Sequence, residues 1–429
     1  MSPASNAWTD FRDAARAFSR PARFYLLAEF LIWTAHGIFG VLFNLYLVEA
    51  GFPERFVGRA IAMNGLGLAL GAIPAGQLAE RWSRRKCIML GATLEGIGHA
   101  LRASSTHGAT ILAMGIAIGI GQSMFQIAAA PFITEHSTPR ERTHLFSTFF
   151  ASALIAGVAG SAVGGALPRA FQALVHGLSL FVAYRVTLVV GAALAVSSLV
   201  PLFAMGPIAE QPLAYGTEPV TREDRRRLLP IALNALLIGL GAGLVIPFMN
   251  LYFKDRFHCS SAQIGGFFSV AQVCTAAAAL TGPALARRFG KLRVAVMAEL
   301  LSLPFLVTLG AERRLGVAAA SFWMRATLMQ AATPLLQTFV MEAMPRALRA
   351  RASSTVNLVW NLGWAASATL AGTVIEHWGY ATPFYLTAGL YATAAVTFWL
   401  AFRRVPEGGE DVRASDEARG KRGEGVLSD

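Results

Sequence analysis

Glu80-Arg81-Trp82-Ser83-Arg84-Arg85-Lys86 divides two long apolar stretches, and Arg288-Phe289-Gly290-Lys291 divides two more, 207 residues beyond Arg81. Other landmarks recur at the same spacing. Asn44-Leu45-Tyr46-Leu47 returns as Asn250-Leu251-Tyr252-Phe253, offset by 206. Glu135, with Pro139, Arg140 and Arg142, returns as Glu342, with Pro345, Arg346 and Arg349, at offsets of 206–207. The chain is therefore one long unit written twice, and a fixed-period repeat defines an architecture before any element is assigned.

The composition says what kind of unit it is. Of 429 residues, 55% are hydrophobic and 14% charged, and the mean hydropathy is +0.50. Soluble domains carry about 25% charged residues, so most of this surface must face lipid. About 20 apolar residues cross the hydrocarbon as a helix. Stretches of that kind lie near 24–48, 56–79, 87–106, 109–134, 145–168 and 178–203, and again near 228–253, 263–286, 294–310, 314–341, 353–375 and 381–402. They lack the alternation over about 10 residues that barrel strands require. Only helices and closed barrels satisfy their backbone polar groups in lipid. The expected fold is an all-α polytopic membrane protein with twelve transmembrane helices in two parallel six-helix repeats.

Charge placement orients it. The net charge is +12, which in a soluble protein would suggest nucleic acid. Here 27 of the 37 Lys and Arg fall in the termini and every second loop, 9 fall on the opposite side, and Arg325 lies inside a span. Basic residues collect on the cytoplasmic side, so both termini are expected in the cytoplasm and no nucleic-acid partner is expected. The expected domains are a cytoplasmic N-terminal segment (1–23), a six-helix bundle (24–203), a cytoplasmic linker (204–227), a second bundle (228–402) and a disordered cytoplasmic tail (403–429). The first 23 residues are polar and basic, without a signal peptide's apolar core, and are expected to be retained. Cys87, Cys259 and Cys274 make no disulfide framework and have no metal-ligand spacing.

Two parallel six-helix halves with a basic loop after spans 2 and 8 resemble the major facilitator superfamily. The strongest local motif is the loop between spans 2 and 3, whose family pattern is Gly-x-x-x-Asp-Arg-x-Gly-Arg-Lys/Arg. Here it reads Gly76-Gln77-Leu78-Ala79-Glu80-Arg81-Trp82-Ser83-Arg84-Arg85, with Glu for Asp and Ser for Gly. The resemblance implies a cytoplasmic gate made by Gly76, Glu80, Arg81 and Arg84, with Glu80 pairing to the start of span 11. It also implies that spans 1, 4, 7 and 10 surround a central cavity. The family's proton antiporters carry Gly-Pro-x-x-Gly-Gly in span 5. Gly160-Ser161-Ala162-Val163-Gly164-Gly165 keeps the glycines and loses the proline, and with it the forced kink. Gly160/Gly164, Gly67/Gly71 and Gly115/Gly119 also suit close helix packing.

Ionisable residues inside spans are costly and mark candidate functional sites. Glu29, Trp33, His36, Gly40 and Phe43 form one stripe on span 1. Its carboxyl and imidazole are the side chains able to couple to protons, although Glu29 also lies close enough to the cytoplasmic edge to pair with an Arg. Glu95, His99 and Arg102 share a face of span 3. The resemblance makes span 3 peripheral, which favours structural pairing there with Arg102 reaching the outer interface, and a proton path along the stripe is the competing reading. Arg325 in span 10 needs a carboxylate such as Glu299, a wet cavity or an anionic substrate. Gln122 and Gln126, Asn234 and Asn250, and Gln330 and Gln337 sketch a cavity wall, as Asn357, Asn361 and Trp364 do on span 11. The expected substrate cavity is Trp33, His36, Gln122, Gln126, Asn234, Arg325, Gln330 and Gln337, with Glu29, Glu95 and His99 in proton coupling.

No Walker loop, zinc spacing or nucleophile elbow is present, so no enzyme activity, metal or cofactor is expected beyond a proton gradient. The expected protein is a monomeric secondary transporter in the cytoplasmic membrane, moving a small organic solute by alternating access. Proton-coupled efflux comes first, with Trp33, Phe43 and Met329 suited to an amphipathic solute. Symport or facilitated uptake of a nutrient or organic anion is the alternative within transport. A transporter-like ligand sensor and a lipid flippase are the alternatives from other classes.

Overall fold

A computed structural model describes residues 18–81, 83–206, 222–344 and 349–404, with the backbone alone at some helical positions, including 79–81. The expected terminal segments, linker and tail therefore fall largely outside the described residues. The described chain is helical. The first half comprises α1 (Arg20–Glu49), α2 (Glu54–Arg81), α3 (Arg84–Ser104), α4 (Gly108–Glu135), α5 (Pro139–Leu174) and α6 (Leu180–Ser197, continued by Leu199–Ala204). The second comprises α7 (Arg222–Val245 and Met249–Phe257, joined by a 3-10 turn at Ile246–Phe248), α8 (Ser261–Phe289), α9 (Lys291–Ala311), α10 (Leu315–Ala343), α11 (Arg349–Trp378) and α12 (Ala381–Phe402). Among the described residues, 8 of these helices are apolar enough to cross a membrane on composition alone. The shortfall in α3 has a clear cause. It begins Arg84-Arg85-Lys86 and carries Glu95, His99 and Arg102, the last three turned inward and buried.

The repeat in sequence is also a repeat in packing. α1 packs on α5 and α6, α2 on α4, and α3 on α4 and α6. In the second half α7 packs on α11 and α12, α8 on α10, and α9 on α10 and α12. The halves meet along α2 with α11 and α5 with α8. Where α5 meets α8, Gly165 and Gly265 face each other so closely that a Cβ on Gly165 would lie 2.9 Å from the Gly265 Cα. Only glycine permits that approach of two backbones.

These meetings lie towards the end away from the basic loops. α5 uses residues 157–165 against 261–272 of α8, and α2 uses 54–65 against 361–372 of α11. Pro247 lacks an amide hydrogen and breaks α7 at the same level. Its carbonyl accepts the Asn44 Nδ2 at 2.6 Å, and Asn44 Nδ2 also reaches Asn250 Oδ1 at 3.2 Å. Asn250 Nδ2 in turn donates to the Val41 carbonyl at 2.9 Å. Lys254 and Glu49 pair at 3.5 Å just beyond.

At the basic end the polar ties stay within each half. Arg84 pairs with Glu135, and Lys291 with Glu342. These pairs are repeat equivalents, both members offset by 207. The turn before α3 is extended at Ser83, whose hydroxyl caps the Lys86 amide. Its counterpart before α9 uses Gly290 at φ +89°, a conformation suited to glycine.

Within the first half, a Cβ on Gly119 of α4 would run into the Asn64 carbonyl and lie 2.6 Å from the Leu68 amide of α2. Gly119→Ala should therefore lower unfolding free energy by about 1–3 kcal/mol. Gly389→Ala, with no atom near its added Cβ, should be neutral or slightly stabilising. Thermal unfolding of the two variants in detergent checks this, and equal melting temperatures would refute the packing argument.

Candidate functional site

α1 presents its polar stripe to α3 and α4. Glu95 and His99 lie one turn apart on α3, so their side chains emerge together. His36 of α1 meets them, with its Nε2 2.6 Å from Glu95 Oε2. The Gln122 amide nitrogen lies 3.1 Å from the same Nε2, and Asn64 Nδ2 donates to Gln122 Oε1 at 3.3 Å. Four helices of one half thus contribute to one polar cluster.

Burial gives the cluster its character. Glu95 is 1% exposed and His99 5%, while His36 opens onto a cavity of about 230 Å³. That cavity is lined by His36, His99, Arg102, Asn44, Asn64 and Gln122 on its polar side and by aromatic groups including Phe43 and Trp364 on the other. Neither ring nitrogen of His99 has a hydrogen-bond partner among the described residues. Its ring instead lies against Phe39, with centroids 4.0 Å apart. Trp33 stands at the edge, T-shaped against His36.

Several expectations change here. Span 3 is not peripheral, because His99 reaches the cavity wall and Glu95 meets His36. Arg102 does not reach the outer interface. It is buried, donates to the Ile111 and Ala60 carbonyls, and lies 4.2 Å over the Phe43 ring. Asn234 does not line the cavity, since it is buried between α7 and α12 with Nδ2 3.4 Å from the Ala394 carbonyl. Arg325 does not line it either. Arg325 is buried between α10 and α12 and donates to the Tyr391 hydroxyl at 3.1 Å, so its partner is not Glu299. Asn250 belongs to the clasp between the halves.

Other expected residues are placed more simply. Gln126, Gln330 and Gln337 are exposed on α4 and α10, and they lie outside the group lining the cavity. Asn357 and Asn361 bond to carbonyls of their own helix. Glu29 is fully buried on α1, and neither carboxyl oxygen has a hydrogen-bond partner among the described residues. Of the expected gate, the Glu80 and Arg81 side chains lie outside the described residues. Gly76 has open space where a Cβ would be. Arg84 pairs with Glu135 of its own half. Asn64 and Asn44 were absent from the expected site, and Asn250 was expected on the cavity wall rather than in the clasp. The asparagine repeat was visible in sequence, but nothing in it shows that its two copies touch.

A larger cavity of about 580 Å³ lies at the far end between α5, α6 and α7, with Arg169, Tyr184, Lys254 and His258 on its wall. It is separate from the polar cluster, the two sharing no lining residue.

The sequence profile of the Major Facilitator Superfamily matches residues 25–228 and 231–426. The chain belongs to this superfamily. It is similar to the dipeptide and tripeptide permease A of Enterobacter sp. (strain 638), 33% identical over 136 residues, 29% of this chain and 26% of the permease. In that match the chain spans about a quarter of its relative's length. It is similar over far more of its length to the multidrug resistance protein MdtG of Proteus mirabilis (strain HI4320), 22% identical over 87% of this chain and 95% of that one. The solved structure of the nucleoside transporter NupG superposes with a TM-score of 0.71 at 15% identity, covering 90% of this chain and 100% of that one. This superfamily member is a multi-pass membrane transporter of small solutes, not an enzyme.

Two outcomes follow from these contacts. Each Asn44 or Asn250 bond to a carbonyl contributes about 1 kcal/mol, so Asn44→Ala should raise the population open at the far end about fivefold. Spin labels at positions 107 and 314, on far-end loops of opposite halves, should then report a longer distance, and an unchanged distribution would refute the clasp. Separately, Tyr391→Phe should cost about 1.5–3 kcal/mol by orphaning a buried charge. Arg325→Met combined with Tyr391→Phe should recover part of that loss in a denaturation series, whereas additive losses would show that the pair is not coupled.

Proposed function

We propose that the protein exports a small amphipathic organic solute across the cytoplasmic membrane in exchange for protons, working as a monomer with both termini in the cytoplasm. The proton gradient is its energy source, and no cofactor is needed. The bias of Lys and Arg to the terminal side supports this orientation. On that orientation the far-end clasp makes the described conformation closed to the outside and ready for solute from within.

Glu29 carries the proton in this reading. Its carboxyl is fully buried without a hydrogen-bond partner among the described residues. An ionised carboxylate so placed would cost several kcal/mol, which suits a group that takes up and gives off a proton rather than a fixed charge. The Trp33 indole, one turn along, lies beside it. Tyr25, one turn back on α1, is also buried. In exchange, solute entering from the cytoplasmic side displaces this proton inward, whereas a proton symporter would release solute and proton together.

The cavity supports an amphipathic solute, with amides and imidazoles on one wall and Phe39, Phe43 and Trp364 on the other. Likeness to a multidrug resistance protein over most of both chains supports export. Uptake of an organic anion loses its anchor, since Arg325 is held inside the second half by Tyr391.

Proteoliposomes with a trapped pH dye test this reading. On adding a transported solute outside, the lumen should become alkaline. Glu29→Gln should reduce that proton flux at least tenfold while leaving solute counterflow in place. Acidification of the lumen would mean symport and overturn the exchange. A parent-like pH response in Glu29→Gln would remove Glu29 from the coupling.

A further inference from the structure

We propose that His36, Glu95 and His99 form a binding site for a divalent transition-metal ion of the zinc class, with Gln122 completing it. Each of the three offers one ligand atom, and these atoms lie within 4.8 Å of one another. No ligand spacing in the sequence announces the site, because His36 and Glu95 are 59 residues apart on different helices.

The geometry is close to what such an ion needs. Zinc binds nitrogen and oxygen at about 2.0–2.2 Å, which sets tetrahedral ligands about 3.3 Å apart. The His36 and Glu95 atoms, 2.6 Å apart, must open by about 0.7 Å. His99 must turn inward, and its nitrogens have no hydrogen bond to give up. Two imidazoles that share one tetrahedral ion have ring centroids about 5–6 Å apart, and those of His36 and His99 are 5.8 Å apart.

The hydrogen bonds also leave room for a cation. His36 Nε2 faces a carboxylate oxygen and an amide nitrogen at once, and a single ring nitrogen cannot be both donor and acceptor. Amide orientations are interchangeable in such chains. With Gln122 turned over, its oxygen faces the same point and becomes a fourth ligand. A bound ion would then satisfy His36, Glu95, Gln122 and the otherwise orphaned His99 together.

Ligand chemistry sets the selectivity. Two imidazoles and one carboxylate suit zinc, cobalt and nickel, whereas magnesium and calcium prefer sites made entirely of oxygen. Arg102 is the opposing charge on the same face of α3. Its guanidinium is held by the Ile111 and Ala60 carbonyls and lies over Phe43.

The inference does not depend on the exchange reading, and its test involves no transport. Zn²⁺ alone is titrated calorimetrically into the full chain in lipid nanodiscs, with Mg²⁺ as the control. One Zn²⁺ per chain should bind, and Mg²⁺ should not. His99→Ala and Glu95→Gln should each weaken Zn²⁺ binding at least tenfold, while His107→Ala/His176→Ala, at exposed histidines, should bind as the parent does. Co²⁺ should give an intense visible absorption band that His99→Gln abolishes, a readout that covers the case in which His99→Ala fails to fold. Absence of Zn²⁺ binding by the parent, parent-like binding in Glu95→Gln and His99→Gln, or loss of binding in the exposed-histidine variant would each overturn the site.

Discussion

Asn44 and Asn250 hold the two halves together at one end, and the shape of the rest follows from that hold. Each asparagine donates to backbone of the opposite half, Asn44 to Pro247 and Asn250 to Val41. The acceptor at Pro247 lies in the turn where proline breaks α7. Away from water such donors have few other partners, so each amide gains much from staying paired. With the far end joined, the polar ties at the other end are free to stay within their own halves, as Arg84–Glu135 and Lys291–Glu342 do. Moving the joint to that end would require these charges to find partners across the midline. On the proposed alternating-access reading, opening the far end would exchange one set of polar ties for another.

Glycine makes the rigid bundles possible. Among the described residues helices approach closely where Gly119 meets Asn64 within the first half, and where Gly165 meets Gly265 and Gly372 meets Glu54 between the halves. Lipid gives no hydrophobic drive for helices to associate, so close packing and interhelical hydrogen bonds must do it. Ser261 and Ser269 of α8 add bonds to α5 carbonyls at the same seam. The seam is consequently narrow, lined by small residues and tied by hydroxyl-to-carbonyl hydrogen bonds.

Much of this was legible in sequence because it is periodic. The hydropathy runs locate the spans, and the repeat of Asn44 and Asn250 or of Glu135 and Glu342 marks positions that do equivalent work in each half. The stripe of Glu29, Trp33 and His36 was also visible, since helical spacing fixes which side chains share a face. What periodicity cannot supply is the identity of the facing helix. Arg325 was expected in the cavity, with Glu299 on the preceding helix as one alternative partner, but its bond goes to Tyr391, 66 residues on. Glu95 and His99 looked like a self-contained pair on one helix until α1 brought His36 against them. Asn234 looked like a cavity amide and proved to be a tie between α7 and α12.

The repeat ends where the chemistry begins. Counting forward by 206–207 residues, Glu29 falls on Ala235 and Leu236, and His36 on Ala242 and Gly243. Glu95 falls on Leu301 and Ser302, His99 on Phe305 and Leu306, and Gln122 on Leu328 and Met329. The second half repeats the Arg84–Glu135 pair as Lys291–Glu342 but lacks the ionisable cluster of the first. Of its own buried Glu299 and Arg325, the latter is tied to Tyr391, and neither lines the cavity. A transporter whose halves were identical would place equal charge on both sides of the solute and would have to desolvate both at each crossing. Concentrating the ionisable groups in one half lets the other present an apolar wall including Trp364. Rocking that wall across the cavity costs little electrostatic energy, because no charge on it must change partners.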